Sequence, residues 1–201
     1  MLRLYDSRLS GNAWKVRILL TQLGIPFERV TLDLAKGAAA EPAFRAKSRF
    51  ARVPVLELED GRTLVESAAI LLYLAEGSAL LPDDRYLRAE VTSWLTFEQA
   101  DLLRALVLPR FYNMRGLADQ MKSRIADLQE GAYLALAKLD DWLATHDWLV
   151  DHRYTVADIG MFGYVAMAPQ GGYDMARFPS IGAWLARVKA QPGWVPLVEE
   201  G

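Results

Sequence analysis

Three short segments in the first third of the chain carry groups that can bind an anion or an extended peptide. Ser10-Gly11-Asn12 lies between a strand pattern and a helical pattern. A hydroxyl there stands at a helix N-terminus, where unpaired N–H groups and the positive dipole end attract negative charge. A thiol bound at that point loses its proton more easily, since the thiolate is the stabilised form. The plainer alternative is that Ser10 only caps the helix. Val53-Pro54 precedes a strand pattern. A cis bond there would make a turn that leaves the Val53 N–H and C=O open to an extended ligand, whereas an ordinary strand start would offer nothing special. Glu66-Ser67 opens another helical pattern. The Ser67 hydroxyl and the first N–H groups suit a carboxylate, and Glu66 suits an ammonium, so the pair matches an α-amino acid. A helix cap with a first-turn acid is the alternative. No segment is specific alone; their joint occurrence in this order and spacing carries the argument.

The elements that must position them follow from periodicity. Leu2-Arg3-Leu4-Tyr5 reads as a strand. Val16, Leu19, Leu20 and Leu23 recur with helical spacing, stopped by Gly24. Phe27 to Leu32 alternates, and residues 41–47 suit a short helix. Pro54 to Leu58 and Arg62 to Val65 flank Asp60-Gly61, a hairpin signal. A helix from Ser67 carries Ile70, Tyr73 and Leu74 on one face and stops at Gly77. The order is βαβ, α, ββ, α. Turn residues in 77–84 read as a linker. Beyond it the pattern is helical throughout. Leu87, Val91, Trp94, Leu95, Glu98 and Leu102 predict one helix up to Pro109. Leu117, Met121, Ile125, Leu128, Ala132, Leu139 and Leu143 predict a second. Thr155 and Asp158 form a capping box, with Tyr154 and Ile159 at the staple positions. Pro179-Ser180 opens a last helix that ends before Pro192-Gly193. The expected organisation is an α/β domain over 1–76, a linker over 77–84 and an all-helical domain over 85–201.

Composition narrows the chemistry. The chain has 201 residues, 52% of them apolar, a formal net charge of −2 and no cysteine. This charge gives no attraction to nucleic acid or anionic lipid. With no cysteine, disulfides, a CxxC pair and a cysteine nucleophile are excluded, so thiol chemistry needs a thiol from outside. His146 and His152 lack metal-ligand spacing and are expected at the surface, so no metal is expected. No apolar run reaches the length of a membrane span, and the first residues lack the features of a signal peptide, so a cytoplasmic protein is expected.

The segments LYDSRLSGNAWKVR, ARVPVLELEDG, LVESAAILLYLAE and YTVADIG resemble the soluble glutathione transferase superfamily, across essentially the whole chain. The Ser-Gly-Asn segment is most similar to serine-type bacterial and theta-like members. The resemblance implies a thioredoxin-like N-terminal domain with a mixed four-stranded sheet, and an all-α C-terminal bundle. It implies that glutathione is the co-substrate and binds extended on the first domain. Val53 would pair with its cysteinyl unit, Pro54 would be cis, and Glu66 and Ser67 would hold the γ-glutamyl end. Arg52 would lie near the glycyl end. Ser10 would donate to the thiolate, with Asn12 beside it; Tyr5 and Asn12 are the alternative thiol-activating residues. Thr155 and Asp158 would serve folding. Ser48-Arg49 replaces the usual Asn-Pro, and Ala38 and Ala39 stand where some relatives place polar contacts, so Lys36 or Arg49 would compensate. A small hydrophobic electrophile is expected in an apolar cleft between the domains, with Leu9, Trp14, Phe111 and Tyr112 as candidate walls. Arg110 and Arg115 would favour an acidic one. A homodimer is implied. Two rivals stand beside conjugation: a glutathione-dependent disulfide reductase or peroxidase on the same scaffold, and a non-enzymatic binding protein.

Overall fold

The structure is a computed structural model that describes residues 1–198. Strand β1 (Leu2–Asp6) pairs parallel with β2 (Phe27–Thr31) and antiparallel with β3 (Val55–Glu57), which pairs antiparallel with β4 (Thr63–Val65). The sheet is mixed and four-stranded in the order β2-β1-β3-β4, which agrees with the thioredoxin-like domain that the resemblance implies. Helices α1 (Gly11–Gln22), α2 (Pro42–Arg45) and α3 (Ser67–Ala75) complete this part. Side chains alternate between faces along each strand. Tyr5, Val55 and Val65 therefore share one face, where they pack with Phe44 of α2. Leu4 and Leu56, opposite each other in register and fully buried, lie on the other face. Helices α1 and α3 pack together and bury Val16, Leu19, Leu20, Ile70, Leu71 and Leu74. Each such side chain contributes roughly 1.5–3 kcal/mol through burial. Tyr73 was expected on the buried face of α3 but is 51% exposed. At 3.6 residues per turn, Ile70, Leu74 and Leu71 already fill a stripe about 100° wide, and Tyr73 falls outside it.

Contacts divide the chain into two units. Among the described residues, one joins 1–79 with 192–198; the other spans 80–191. The sequence reading placed everything from 85 onward in the helical domain, so the return of the tail is a departure. Trp14 Nε1 of α1 donates to Val195 O at 2.8 Å, and its ring meets Trp194 edge-on at 6.2 Å. The Arg17 guanidinium donates to Pro196 O at 3.2 Å and to Leu197 O at 2.6 Å. Gly193 has φ +76°, and a Cβ there would stand 3.0 Å from Gln22 Cα, so glycine admits this approach. Arg17 Nε also lies 3.1 Å from the buried Asp6 carboxylate, which accepts from Arg29 Nε at 2.7 Å. Burial pushes the Asp6 carboxyl up, against the pull of Arg29 and Arg17.

The second unit is helical: α4 (Arg85–Phe97), one π-helical turn (Glu98–Leu102), α5 (Leu103–Met114), α6 (Lys122–Leu143), α7 (Val156–Val165) and α8 (Pro179–Lys189). Every residue of α7 is buried, as befits a central helix. Its capping box forms as read from Thr155 and Asp158. The Asp158 carboxylate also accepts from Leu149 N and Trp184 Nε1, at 3.2 and 2.9 Å. Burial pushes its carboxyl up to about 6 despite these donors.

Two expectations are corrected here. Pro109 does not end a helix; it sits inside α5. Proline leaves the carbonyl four residues earlier without its donor. The Tyr173 hydroxyl supplies one, donating to Ala105 O at 2.8 Å. The interruption falls instead at the π turn. Leu117 and Met121 precede α6, which begins at Lys122.

Candidate functional site

Ser10 is the N-cap of α1, and its Oγ accepts from Ala13 N at 3.2 Å. That bond uses an oxygen lone pair and leaves the hydroxyl hydrogen for another acceptor. In the same first turn, Asn12 Oδ1 accepts from Lys15 Nζ at 3.0 Å and from Ser67 Oγ at 3.5 Å. This amide links the first turn of α1 to the first turn of α3, so two of the three segments come together. Ser67 is buried and spends its hydroxyl on Asn12, while Glu66 makes no side-chain cap bond. The first N–H groups of α3 thus lack a side-chain cap and suit an anion. Glu66 is exposed with φ +71° and ψ +121°, a sparsely populated conformation for a residue with a Cβ.

The Val53–Pro54 bond is cis. Among the described residues, neither the N–H nor the C=O of Val53 pairs with another backbone group. The loop leading to it is held by Ser48, which is buried: its hydroxyl donates to Arg52 O at 2.9 Å and accepts from Arg52 N at 3.1 Å. The Ser48 substitution noted in the sequence therefore braces the turn from inside. Arg52 leaves an exposed side chain. Lys36 lies 3.5 Å from Asp33, and the Arg49 guanidinium lies over the Phe50 ring at 5.0 Å. Ala38 and Ala39 belong to a short 3-10 turn.

Tyr5 is occupied elsewhere. Its hydroxyl donates to Glu57 Oε2 at 2.7 Å, beside Lys47, on the α2 face of the sheet. Burial pushes its phenol up, and the Glu57 hydrogen bond adds to this. Trp14 is 5% exposed and packs under the tail, whereas Leu9 is 39% exposed. In the helical unit, Phe111 is 45% exposed and meets the half-buried Tyr112 edge-on at 6.0 Å. Arg115 lies over the Phe111 ring at 5.4 Å. Arg110 is buried, its Nε donating to Gln170 Oε1 at 2.6 Å, and burial lowers its affinity for its proton. Arg110 is thus bound within its own unit.

His146 is half-buried and stacks on Trp142 at 3.8 Å, and the exposed His152 stacks on His146 at 5.5 Å. Among the described residues no three potential metal-ligating side chains cluster, and no helix is long and apolar enough to cross a membrane. A surface cavity of about 660 Å³, lined by Leu2, Ile25, Pro26, Leu58 and Tyr73 among others, contains none of the candidate site residues. Lys15, the bracing role of Ser48 and the tail were not legible in the sequence. Only the placing of Lys15 and Arg17 among the apolar residues of α1 hinted at the first.

Comparisons with known proteins identify the family of the fold. Residues 4–80 match the family model for the glutathione S-transferase N-terminal domain, and residues 97–192 match the C-terminal domain. A glutathione S-transferase crystal structure from Pseudomonas fluorescens superposes with a TM-score of 0.96 at 37% identity, covering 98% of this chain and 99% of that one. Glutathione S-transferase theta-1 of Mus musculus is 30% identical, over 96% of this chain and 84% of its own length. The disulfide-bond oxidoreductase YfcG of Escherichia coli is 27% identical, over 90% of this chain and 87% of its own.

Proposed function

Because the chain belongs to the soluble glutathione S-transferase superfamily, we propose that it ionises the glutathione thiol at the start of α1 and adds the sulfur to a small hydrophobic electrophile. The observation that carries this is the Asn12–Ser67 hydrogen bond, which joins the first turn of α1, capped by Ser10, to the first turn of α3. Ser10 Oγ–H donates to the thiolate, and the α1 N-terminus adds its positive end. Val53 presents its N–H and C=O to the cysteinyl backbone, in the manner of an added strand. The first turn of α3 takes the γ-glutamyl carboxylate and Glu66 its ammonium. Arg52 faces the glycyl carboxylate. Free thiol has a pKa near 8.5, so lowering it by about two units stabilises thiolate by roughly 2.7 kcal/mol and makes it dominant at pH 7.

Leu9 is the exposed apolar neighbour of Ser10 in the chain, and we assign it to the electrophile. Phe111 and Tyr112 are the aromatic candidates of the helical unit; Trp14 is left out because the tail covers it. We further propose a homodimer located in the cytoplasm, which light scattering and fractionation test.

Ser10→Ala is the direct test. Conjugation of chlorodinitrobenzene is expected to fall about tenfold or more while glutathione affinity survives. Unchanged turnover would remove Ser10 from the chemistry. A second reading is favoured by the amide beside the hydroxyl and by the oxidoreductase relative: glutathione-dependent reduction of a small disulfide, which needs no protein cysteine. Measuring conjugation and reduction of 2-hydroxyethyl disulfide side by side separates the two.

A further inference from the structure

We infer that Lys15 is a positioning residue that turns the amide of Asn12 so that its N–H donors face the ligand sulfur; the inference rests on the glutathione site proposed above. Lys15 lies on α1 three residues after Asn12 and is 1% exposed. A buried cation is costly, and replacement by an apolar side chain of similar size is often neutral or better for stability. A lysine at this place therefore calls for a local task.

Its Nζ stands 3.0 Å from Asn12 Oδ1. A lysine nitrogen carries donors and no acceptor, so the amide atom facing it must be oxygen. The Ser67 hydroxyl reaches the same oxygen at 3.5 Å. The carbonyl end of Asn12 is thus engaged from both α1 and α3, and the NH₂ end turns away from them. Without Lys15 an amide can flip, because its two ends are nearly equal in size. A flipped Asn12 would present lone pairs to an anion at the helix start and repel it. With Lys15 in place the anion meets donors from Asn12 as well as from Ser10. Lys15 acts on the sulfur only through Asn12.

The test is the pH dependence of kcat/KM for chlorodinitrobenzene conjugation, with thermal unfolding measured alongside. Lys15→Met is expected to raise the apparent pKa of the bound thiol by about one unit. Turnover on the acid side then falls about tenfold, while turnover on the alkaline plateau stays within about twofold. Lys15→Arg, which keeps a donor, restores part of the acid-side rate. In an Asn12→Ala background, Lys15→Met shifts the profile no further. An acid limb for Lys15→Met that superimposes on the wild type overturns the inference, as does an equal shift in both backgrounds. Asn12→Ala alone guards against a Lys15 variant that does not fold: if it keeps the wild-type acid limb, the inference fails. A wild-type protein that neither binds nor conjugates glutathione removes the proposed function itself, which is a different result.

Discussion

Glu57 shows how one side chain can decide what its neighbours are available for. It accepts from Tyr5 Oη and from Lys47 Nζ, each at 2.7 Å. These two donors, Lys47 first, hold its carboxyl below the ordinary value of 4.5. A depressed carboxyl contributes stability that is fully present above its unfolded-state pKa and is lost as pH falls through the folded-state value. Urea denaturation should therefore find Glu57→Gln less stable than wild type at pH 7, with the gap closing as pH falls below about 4.5. Because Tyr5 is committed to this cluster, Tyr5→Phe should leave conjugation within about twofold of wild type, in contrast to the loss expected for Ser10→Ala. A tenfold loss in Tyr5→Phe would return the tyrosine to the chemistry. Ser10 and Ser67 were legible in the sequence because helix starts carry local signals. The bond between Asn12 and Ser67 was not, since three strands and helix α2 separate its partners in the chain. Nor was the bracing by Ser48, which depends on a turn whose shape the sequence does not state.

At the level of elements, strands and most helices follow from period alone, whereas the mixed sheet was expected only from the family resemblance. Periodicity failed where one backbone donor was missing. Pro109 reads as a stop because it leaves Ala105 O without an N–H, and nothing local reveals that Tyr173 provides the substitute. The π turn escaped for a related reason: one added residue shifts the register of apolar side chains while leaving their density unchanged. The account of Pro109 makes a prediction. Tyr173→Phe should cost about 1–2 kcal/mol, the usual loss for an unsatisfied buried carbonyl. In a Pro109→Ala background, where the alanine N–H can take the carbonyl, the same substitution should cost clearly less. Denaturant midpoints of the four proteins form the cycle that measures this coupling, and equal costs in both backgrounds would sink the explanation.

The chain as a whole departs from a simple succession of domains, because residues after the helical unit return to the first one. Gly193 is the pivot of that return. Gly193→Ala places a Cβ 3.0 Å from Gln22 Cα at a backbone with φ +76°, and should destabilise by about 1–2 kcal/mol. Thermal unfolding measures it, and an unchanged midpoint would mean the tail contributes little. Domain limits read from composition could not anticipate this, since nothing in Trp194, Val195 or Pro196 names the surface they cover. The arrangement also imposes an order on biosynthesis. Ribosomes deliver α1 early and its last partners late, with every helix from α4 to α8 translated in between. Until Val195, Pro196 and Leu197 emerge, the Trp14 indole and the Arg17 guanidinium await the carbonyls that will receive them. The nascent α/β unit therefore reaches its finished form only after the helical one has been made.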